Sequence, residues 1–493
     1  MKEMPKPVAC TIDLTEACNL RCDYCFTWSK HKPRVISDEM AFRIVDWWLP
    51  QTAPNMDGNQ QAVELSFWGG EPLLQWEKLK RIRNYGKRKA DEIGRNIVFG
   101  GTTNGVLYTP DKVEWCAQNQ SLFLVSVDGL QKQHDTHRRR STGGGSWATV
   151  IANLKEALKI APNIHVRMSL VPEFMQDFLE SIQFLHEEIG VHHIAFSPVM
   201  ESDWTPESLD ILREQFVQAA KYYAGRLKEG HELNLKHFAD EAMMQGKNIQ
   251  NPCGAGNGYM GWSVDGFCFP CHRFNKHGIT TEQRSKLPTI IARPVGDSFE
   301  WVNHEWRRQF VEFKENPSEQ CQGCDLFGFS SCNGGCYAVA YDFHGELHKP
   351  PKFECEYNKV QNDTAKLLRQ IAEENGLNLS PFGQAENQKP AGNGCICFNM
   401  CYNEGTPEEI INIDRKANFG CLCNQAQYNG EAVPTRTRNL LQIDTQVKLR
   451  KRFIDLSIRI LETPHEGKSE KQLHMESDVL KKTAELLKGE SIF

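Results

Sequence analysis

The stretch "VACTIDLTEACNLRCDYC" (residues 8–25) joins an apolar, β-branched run to three cysteines, Cys18, Cys22 and Cys25. The first half predicts a buried strand over 8–15 and the second a loop at its carboxyl end. Three thiols at spacings of four and three do not match a disulfide, which takes two. A closed tetrahedral zinc takes four ligands and would need one from elsewhere. A 4Fe–4S cluster held by three thiolates keeps one iron open, and an open iron can take a substrate.

From residue 7 to about 200 the same strand signal recurs. "AVELSFW" (62–68), "NIVFGGTT" (96–103), "LFLVSVD" (122–128), "HVRMSLV" (165–171) and "HHIAFSPV" (192–199) alternate with helix-like segments. Among these, 37–49 opens on Ser37 as half of a capping signal, with 146–160 and 174–189 further on; the last carries an apolar stripe of Phe174, Phe178, Ile182, Leu185 and Ile189. Six strands alternating with helices predict an α/β fold with a parallel sheet, whose function gathers at the carboxyl ends of the strands. "WGGEP" (68–72), "TTNG" (102–105) and "SVDG" (126–129) end strands two to four, so four polar or glycine-rich signals share one rim with the cysteine loop.

The 493 residues are 40% hydrophobic and 24% charged, a globular composition of two or three domains. A formal net charge of −6 argues against a nucleic-acid surface over the whole chain, and the run "HRRR" (137–140) reads as a solvated face. No apolar run has the length of a membrane span, and "MKEMPKPVAC" carries no apolar signal region, so a cytoplasmic location is expected. In a reducing compartment eighteen cysteines point to metal or catalytic work. Most fall in blocks at 18–25, 253–271, 321–355 and 395–423, while Cys10 and Cys116 stand apart as buried thiols.

"CNLRCDYC" resembles the CxxxCxxC signature of the radical S-adenosylmethionine (SAM) superfamily, and "GGEP" resembles that superfamily's second motif. The resemblance implies a partial (β/α)6 TIM-like barrel, in agreement with the six strands. It implies a cluster on Cys18, Cys22 and Cys25 whose open iron is chelated by S-adenosylmethionine, and a 5′-deoxyadenosyl radical that abstracts hydrogen from an unactivated C–H bond. It further implies Tyr24 against the adenine, the backbone at Gly69 and Gly70 with Glu71 at the amino group, Ser126 at the ribose and Arg138 at the carboxylate. A guanidinium fork suits that last role. Against these stand a helix cap for Glu71 and a solvated face for Arg138, with Arg139 and Arg140 competing for its place.

The segments "CGAGNGYMGWSVDGFCFPC" (253–271), "CQGCDLFGFSSCNGGC" (321–336) and Cys355 resemble the seven-cysteine SPASM domain of peptide- and protein-modifying radical enzymes, which holds two auxiliary 4Fe–4S clusters. The resemblance puts Cys253, Cys271 and Cys336 on the first, and Cys321, Cys324, Cys332 and Cys355 on the second. The loop between Cys324 and Cys332 is longer than usual, and the first set lacks a fourth cysteine. Cys268 fills that place, or an iron stays open for substrate sulfur or a non-cysteine ligand; a pair of zinc sites is the alternative to both clusters.

Boundaries are expected near 230 and 370: a radical SAM core over 1–230, a SPASM domain over 231–370, and a linker with a cysteine-containing, mostly helical extension over 371–493. In the extension, Cys395, Cys397, Cys401, Cys421 and Cys423 suit a structural zinc, a further cluster or free thiols. Helices are expected near 438–462 and 469–488, either as a packed hairpin or as a face for a partner peptide.

Anaerobic sulfatase maturases share this architecture and oxidise Cys or Ser to formylglycine, with an Asp after the cysteine equivalent to Cys271. Here His272 stands in its place, either as proton acceptor or as a hydrogen-bond donor to a cluster sulfur. The expected function is therefore maturation of a ribosomally synthesised peptide by a thioether or carbon–carbon crosslink. Formylglycine formation is the alternative, and a non-enzymatic electron carrier or zinc module the third reading. Expected partners are a precursor peptide or protein, a reductase such as flavodoxin or ferredoxin, and a separate leader-binding protein, since the cluster motif begins at Cys18; neither nucleic acid nor membrane is expected.

Overall fold

The computed structural model describes residues 4–27, 33–52, 62–244, 253–312, 317–327, 332 and 334–379. The cysteine-rich and helical extension expected beyond 380 lies outside the described residues. Among the described residues no helix is long and apolar enough to cross a membrane.

All six expected strands form. They are β1 (Ala9–Thr15), β2 (Val63–Gly69), β3 (Ile97–Thr103), β4 (Phe123–Ser126), β5 (His165–Leu170) and β6 (His193–Pro198), and they pair in parallel in chain order. Every residue of β1 is buried, as parallel strands covered on both faces require. Helices cross over between them. Asp38–Trp48 starts where Ser37 Oγ accepts from Met40 N at 3.0 Å, and buries Ala41, Ile44, Val45 and Trp48 on one stripe. Trp147–Ile160 follows β4 as expected.

The stripe from Phe174 to Ile189 is buried throughout, but its backbone is not one α-helix. Pro172 opens a 3₁₀ segment to Asp177, the α-helix is Phe178–Gln183, and a π segment runs over Phe184–Glu188. Proline favours the tight entry, and the wider last turn brings Leu185 and Ile189 back to the core.

The sheet is not closed, and it is longer than six strands. β7 (Asn234–Leu235) extends it beyond β6. On the other side β8 (Tyr259–Trp262) pairs in parallel with β1, and β9 (Cys268–Phe269), β10 (Ala292–Val295) and β11 (Ser298–Trp301) continue antiparallel to the far edge. β1, which launches the cysteine loop, is therefore an interior strand. A buried charge network ties the same end together: Arg284 donates to Glu16 (2.8 Å) and Asp265 (2.7 Å), and Arg34 reaches both carboxylates at 2.8 Å. The long helix Lys352–Asn375 closes this part by packing along Pro206–Lys228, with Phe353 stacked on Trp204 at 4.7 Å.

Candidate active site

The cysteine loop begins where β1 meets the end of β2. Gly70 N donates to Thr15 O at 2.8 Å and Glu71 N to Ala17 O at 2.9 Å. A Cβ on Gly69 would stand 2.2 Å from Thr15 O, and one on Gly70 2.2 Å from Ala17 O, so the approach requires glycine at both positions. Gly69 also holds φ +124°.

The loop is backed by the segment after helix Gln131–His137. Arg21 N donates to Arg139 O (2.7 Å) and Ser141 N to Asn19 O (3.0 Å). The "HRRR" run is thus a strut for the cysteines rather than a free solvated face. Cys18 Sγ accepts from Leu20 N at 3.4 Å and Asn104 Nδ2 at 3.7 Å. Burial pushes the Cys18 and Cys22 thiols up to about 12, and the three thiols are close enough that each of these two is raised further by its neighbours. Thiolates are disfavoured here unless a cation shares the site, and an iron–sulfur cluster supplies one.

Beside the loop lies a group of four residues, three of them buried and Tyr24 half-buried. Asp128, at the end of β4 and fully buried, accepts from Arg138 Nε (2.8 Å), Arg138 Nη2 (3.1 Å), Tyr24 OH (2.5 Å) and Ser169 N (2.9 Å). Burial alone would raise its carboxyl, but the Arg138 charge holds it below the usual range. The same guanidinium lies 5.4 Å from the centre of the Tyr24 ring. Arg138 is the inward arginine of its run, buried where Arg139 is exposed, and its Nη1 makes no hydrogen bond among the described residues. Ser126 is buried at the same strand end, paired in register with Arg167.

Glu71 takes the alternative reading, a cap. Its Oε1 accepts from Leu73 N (3.0 Å), at the start of the 3₁₀ turn Pro72–Gln75, and from Thr103 Oγ1 (2.9 Å); Oε2 accepts from Asn104 N (2.8 Å). The side chain thereby pins the ends of β2 and β3 together behind the cysteines, and burial pushes its carboxyl up to about 7.

The later cysteines assemble into two sets. The Cys271 thiol, strongly raised by burial, is raised further by Cys336 and Cys253. Cys355 is likewise raised by burial and then by Cys321 and Cys332, and Cys321 by burial and then by Cys324. Cys268 does not join the first set. It is fully buried in the main core, packed with β1 and β2 side chains, while Phe269 and Cys271 belong to the smaller core beneath. Cys268 thus sits in a different core from Cys271, the cysteine it was expected to join. Among the described residues no group of three or more His, Cys, Asp or Glu side chains is close enough to hold a single metal ion. A four-iron cluster is larger than one ion and takes its thiolates further apart.

His272 stands between the first loop and this set. Its ring lies 4.4 Å from Trp68 and 6.0 Å from Phe26, the residue after Cys25, and Nδ1 pairs with Tyr259 OH at 2.5 Å. Burial, with Arg273 nearby, lowers its pKa to about 3, so the imidazole is neutral. Arg273 covers the outer face of Phe26 at 4.6 Å and pairs with Glu201. Asp128 and Asn104 carried no role in the sequence reading. Their signal was present, an acid and an amide closing "SVDG" and "TTNG" on the rim that holds the cysteines.

Comparison with known proteins agrees with this geometry. Residues 12–185 match the radical SAM superfamily. The serine-type anaerobic sulfatase-maturating enzyme of Bacteroides thetaiotaomicron is 29% identical over 211 residues, 40% of this chain and 46% of that protein, so the alignment spans under half of that relative. The radical SAM cyclopropyl synthase TigE of Paramaledivibacter caminithermalis is 23% identical over 383 residues, 73% of each chain. Among solved structures, native anSMEcpe with bound AdoMet and the Kp18Cys peptide superposes with a TM-score of 0.59 at 17% identity, covering 75% of this chain and 99% of that one, a likeness of fold. The parallel sheet, the cysteine loop on its rim and the family match together identify a radical SAM domain in this chain.

Proposed function

We propose that this chain is a radical SAM maturase that modifies a peptide, forming a thioether or carbon–carbon crosslink in a ribosomally synthesised precursor. The observation that carries the reading is the contact between Phe26 and His272. Each directly follows a cysteine, Cys25 of the first group and Cys271 of the second, so two groups of thiols face one another across a single aromatic layer. Cys18, Cys22 and Cys25 hold one 4Fe–4S cluster. Cys253, Cys271 and Cys336, and Cys321, Cys324, Cys332 and Cys355, hold two auxiliary ones. When bound, the first cluster and S-adenosylmethionine supply a 5′-deoxyadenosyl radical that takes hydrogen from an unactivated C–H bond.

The chain's own residues bind, orient and exclude water. Arg138, braced by Asp128, offers Nη1 to a carboxylate. Tyr24 is held under that guanidinium as a face for adenine. Ser126 reaches the ribose. Gly69 and Gly70 keep the β2 end close to the loop where the amino group is received, with Glu71 fixed behind them. Trp68, Phe26 and His272 form a largely apolar face between the two groups of thiols. A reductase such as flavodoxin or ferredoxin supplies electrons, and a separate protein or the carboxyl-terminal extension binds a leader.

A second reading, formylglycine formation, is favoured by the sulfatase-maturating relative. His272 counts against it, since an imidazole with a pKa of about 3 is a weak proton acceptor at neutral pH. The test is anaerobic reconstitution with iron and sulfide, then dithionite and S-adenosylmethionine, following 5′-deoxyadenosine by mass spectrometry, with the Cys18, Cys22 and Cys25 triple alanine variant as control. Product in the parent alone supports the radical chemistry; no iron uptake overturns it. With a candidate peptide, loss of two hydrogens with both side chains retained marks a crosslink, and a hydrazide-reactive aldehyde marks formylglycine.

A further inference from the structure

Glu354 is the third residue of the last helix, Lys352–Asn375, which opens directly after Pro350 and Pro351, and it points inward rather than to solvent. It is 3% exposed. Its Oε1 accepts from Cys336 N at 2.6 Å. Its Oε2 is buried with no hydrogen-bond partner among the described residues. A carboxylate oxygen in that position is costly to desolvate unless a proton or a cation meets it, and an orphan beside a set of thiols is placed to meet a metal.

The backbone around it is shaped to admit the group. Gly335 holds φ +86°, and a Cβ there would stand 2.7 Å from Glu354 Oε2 and 2.6 Å from Pro350 Cβ. Glycine at 335 therefore leaves the space that the carboxylate occupies. Cys336, whose amide the carboxylate holds, belongs to the set that, among the described residues, brings three thiols together, with Cys253 and Cys271. The neighbouring set already has four, Cys321, Cys324, Cys332 and Cys355. Cys268 belongs to the other core, and among the described residues no fourth thiol joins the first set.

We infer that Glu354 supplies the fourth ligand of the first auxiliary cluster, its free Oε2 completing a three-thiolate, one-carboxylate site with Cys253, Cys271 and Cys336. The inference rests on the auxiliary-cluster reading above. A carboxylate is a harder and more labile ligand than a thiolate, so this cluster has one iron that differs from the other three. Glu354 would hold that iron from the helix Lys352–Asn375.

The test uses the full chain with Cys18, Cys22 and Cys25, and also Cys395, Cys397, Cys401, Cys421 and Cys423, changed to alanine, which leaves the auxiliary sets as the cysteine clusters that can take iron. Glu354→Gln and Glu354→Cys are reconstituted beside it and read by iron count, electron paramagnetic resonance and Mössbauer spectroscopy. Glu354→Gln is expected to lose roughly one iron per chain and to show a three-iron signal, and Glu354→Cys to restore the parent count with a changed spectrum. Glu354→Gln matching the parent in count and spectrum overturns the ligand and leaves the cluster reading intact. Loss of iron in both variants marks a merely structural carboxylate and also overturns it. A parent without auxiliary iron overturns the cluster reading itself.

Discussion

Arg138 grips Asp128 with both Nε and Nη2, at 2.8 and 3.1 Å, and the pair is sealed from solvent between the cysteine loop and β5. Two charges so placed are costly to bury and more costly to separate. Asp128→Asn leaves Arg138 buried without its counter-charge and is expected to lose about 3–5 kcal/mol of stability. Anaerobic denaturant unfolding checks the loss. A cycle with Arg138→Met should recover part of it, because the double variant strands no charge.

Gly69 and Gly94 both hold positive φ, +124° and +63°, but only Gly69 is crowded. Gly94→Ala meets nothing within 4 Å and should cost only the left-handed backbone, about 1–2 kcal/mol, with iron uptake unchanged. Gly69→Ala drives a methyl against Thr15 O and must displace the start of the cysteine loop. Iron bound at Cys18, Cys22 and Cys25, measured in a chain lacking the auxiliary cysteines, is expected to drop severalfold.

Glu71 makes stability depend on pH in a defined direction. Its folded pKa, raised by burial to about 7, lies above the unfolded carboxylate value of about 4.3. The folded state therefore keeps a proton that the unfolded chain has released, and this contribution is complete below the unfolded value and gone as pH rises through about 7. Between about pH 4.3 and 7 the parent should lose stability more steeply than Glu71→Gln, whose amide does not titrate. Denaturant midpoints measured across that range check it, and parallel slopes would refute the assignment.

His272 acts with the opposite sign. A folded pKa of about 3 lies below the unfolded histidine value of about 6.5, so its contribution is present above that value and lost as pH falls. His272→Phe keeps a ring against Trp68 and Phe26 and should flatten the loss of stability below about pH 6.5. In the parent, 5′-deoxyadenosine formation should show no break near that pH from this residue.

The strands of the barrel-like half were legible because each is a short apolar run with β-branched residues, three of them closed by Gly, Asn or Asp: 8–15 was expected and Ala9–Thr15 is found. β7 to β11 were not, because strands of two to four residues carry too few alternations to register as a period. The cysteine groups were legible from spacing. The inward turn of Arg138 was not, since three successive arginines differ only in where helix Gln131–His137 ends. Nor was the Arg138–Asp128 bond, a pairing across a loop that composition does not encode. Nor was the core that takes Cys268, which packs apart from Cys271 although only two residues separate them.

The position of β1 inside the sheet has a consequence for synthesis. On a ribosome β1 emerges before the other strands, and β2 follows within about sixty residues, but its other neighbour is β8, where Ala9 pairs with Tyr259. Until that stretch has been translated, one side of the first strand has unpaired amides and carbonyls. Iron–sulfur delivery to Cys18, Cys22 and Cys25 before then meets a loop whose parent strand is still half-paired. Any cluster loading there would thereby be coupled to completion of the chain through β8, and premature termination upstream of it would leave an aggregation-prone edge beside the cysteine loop.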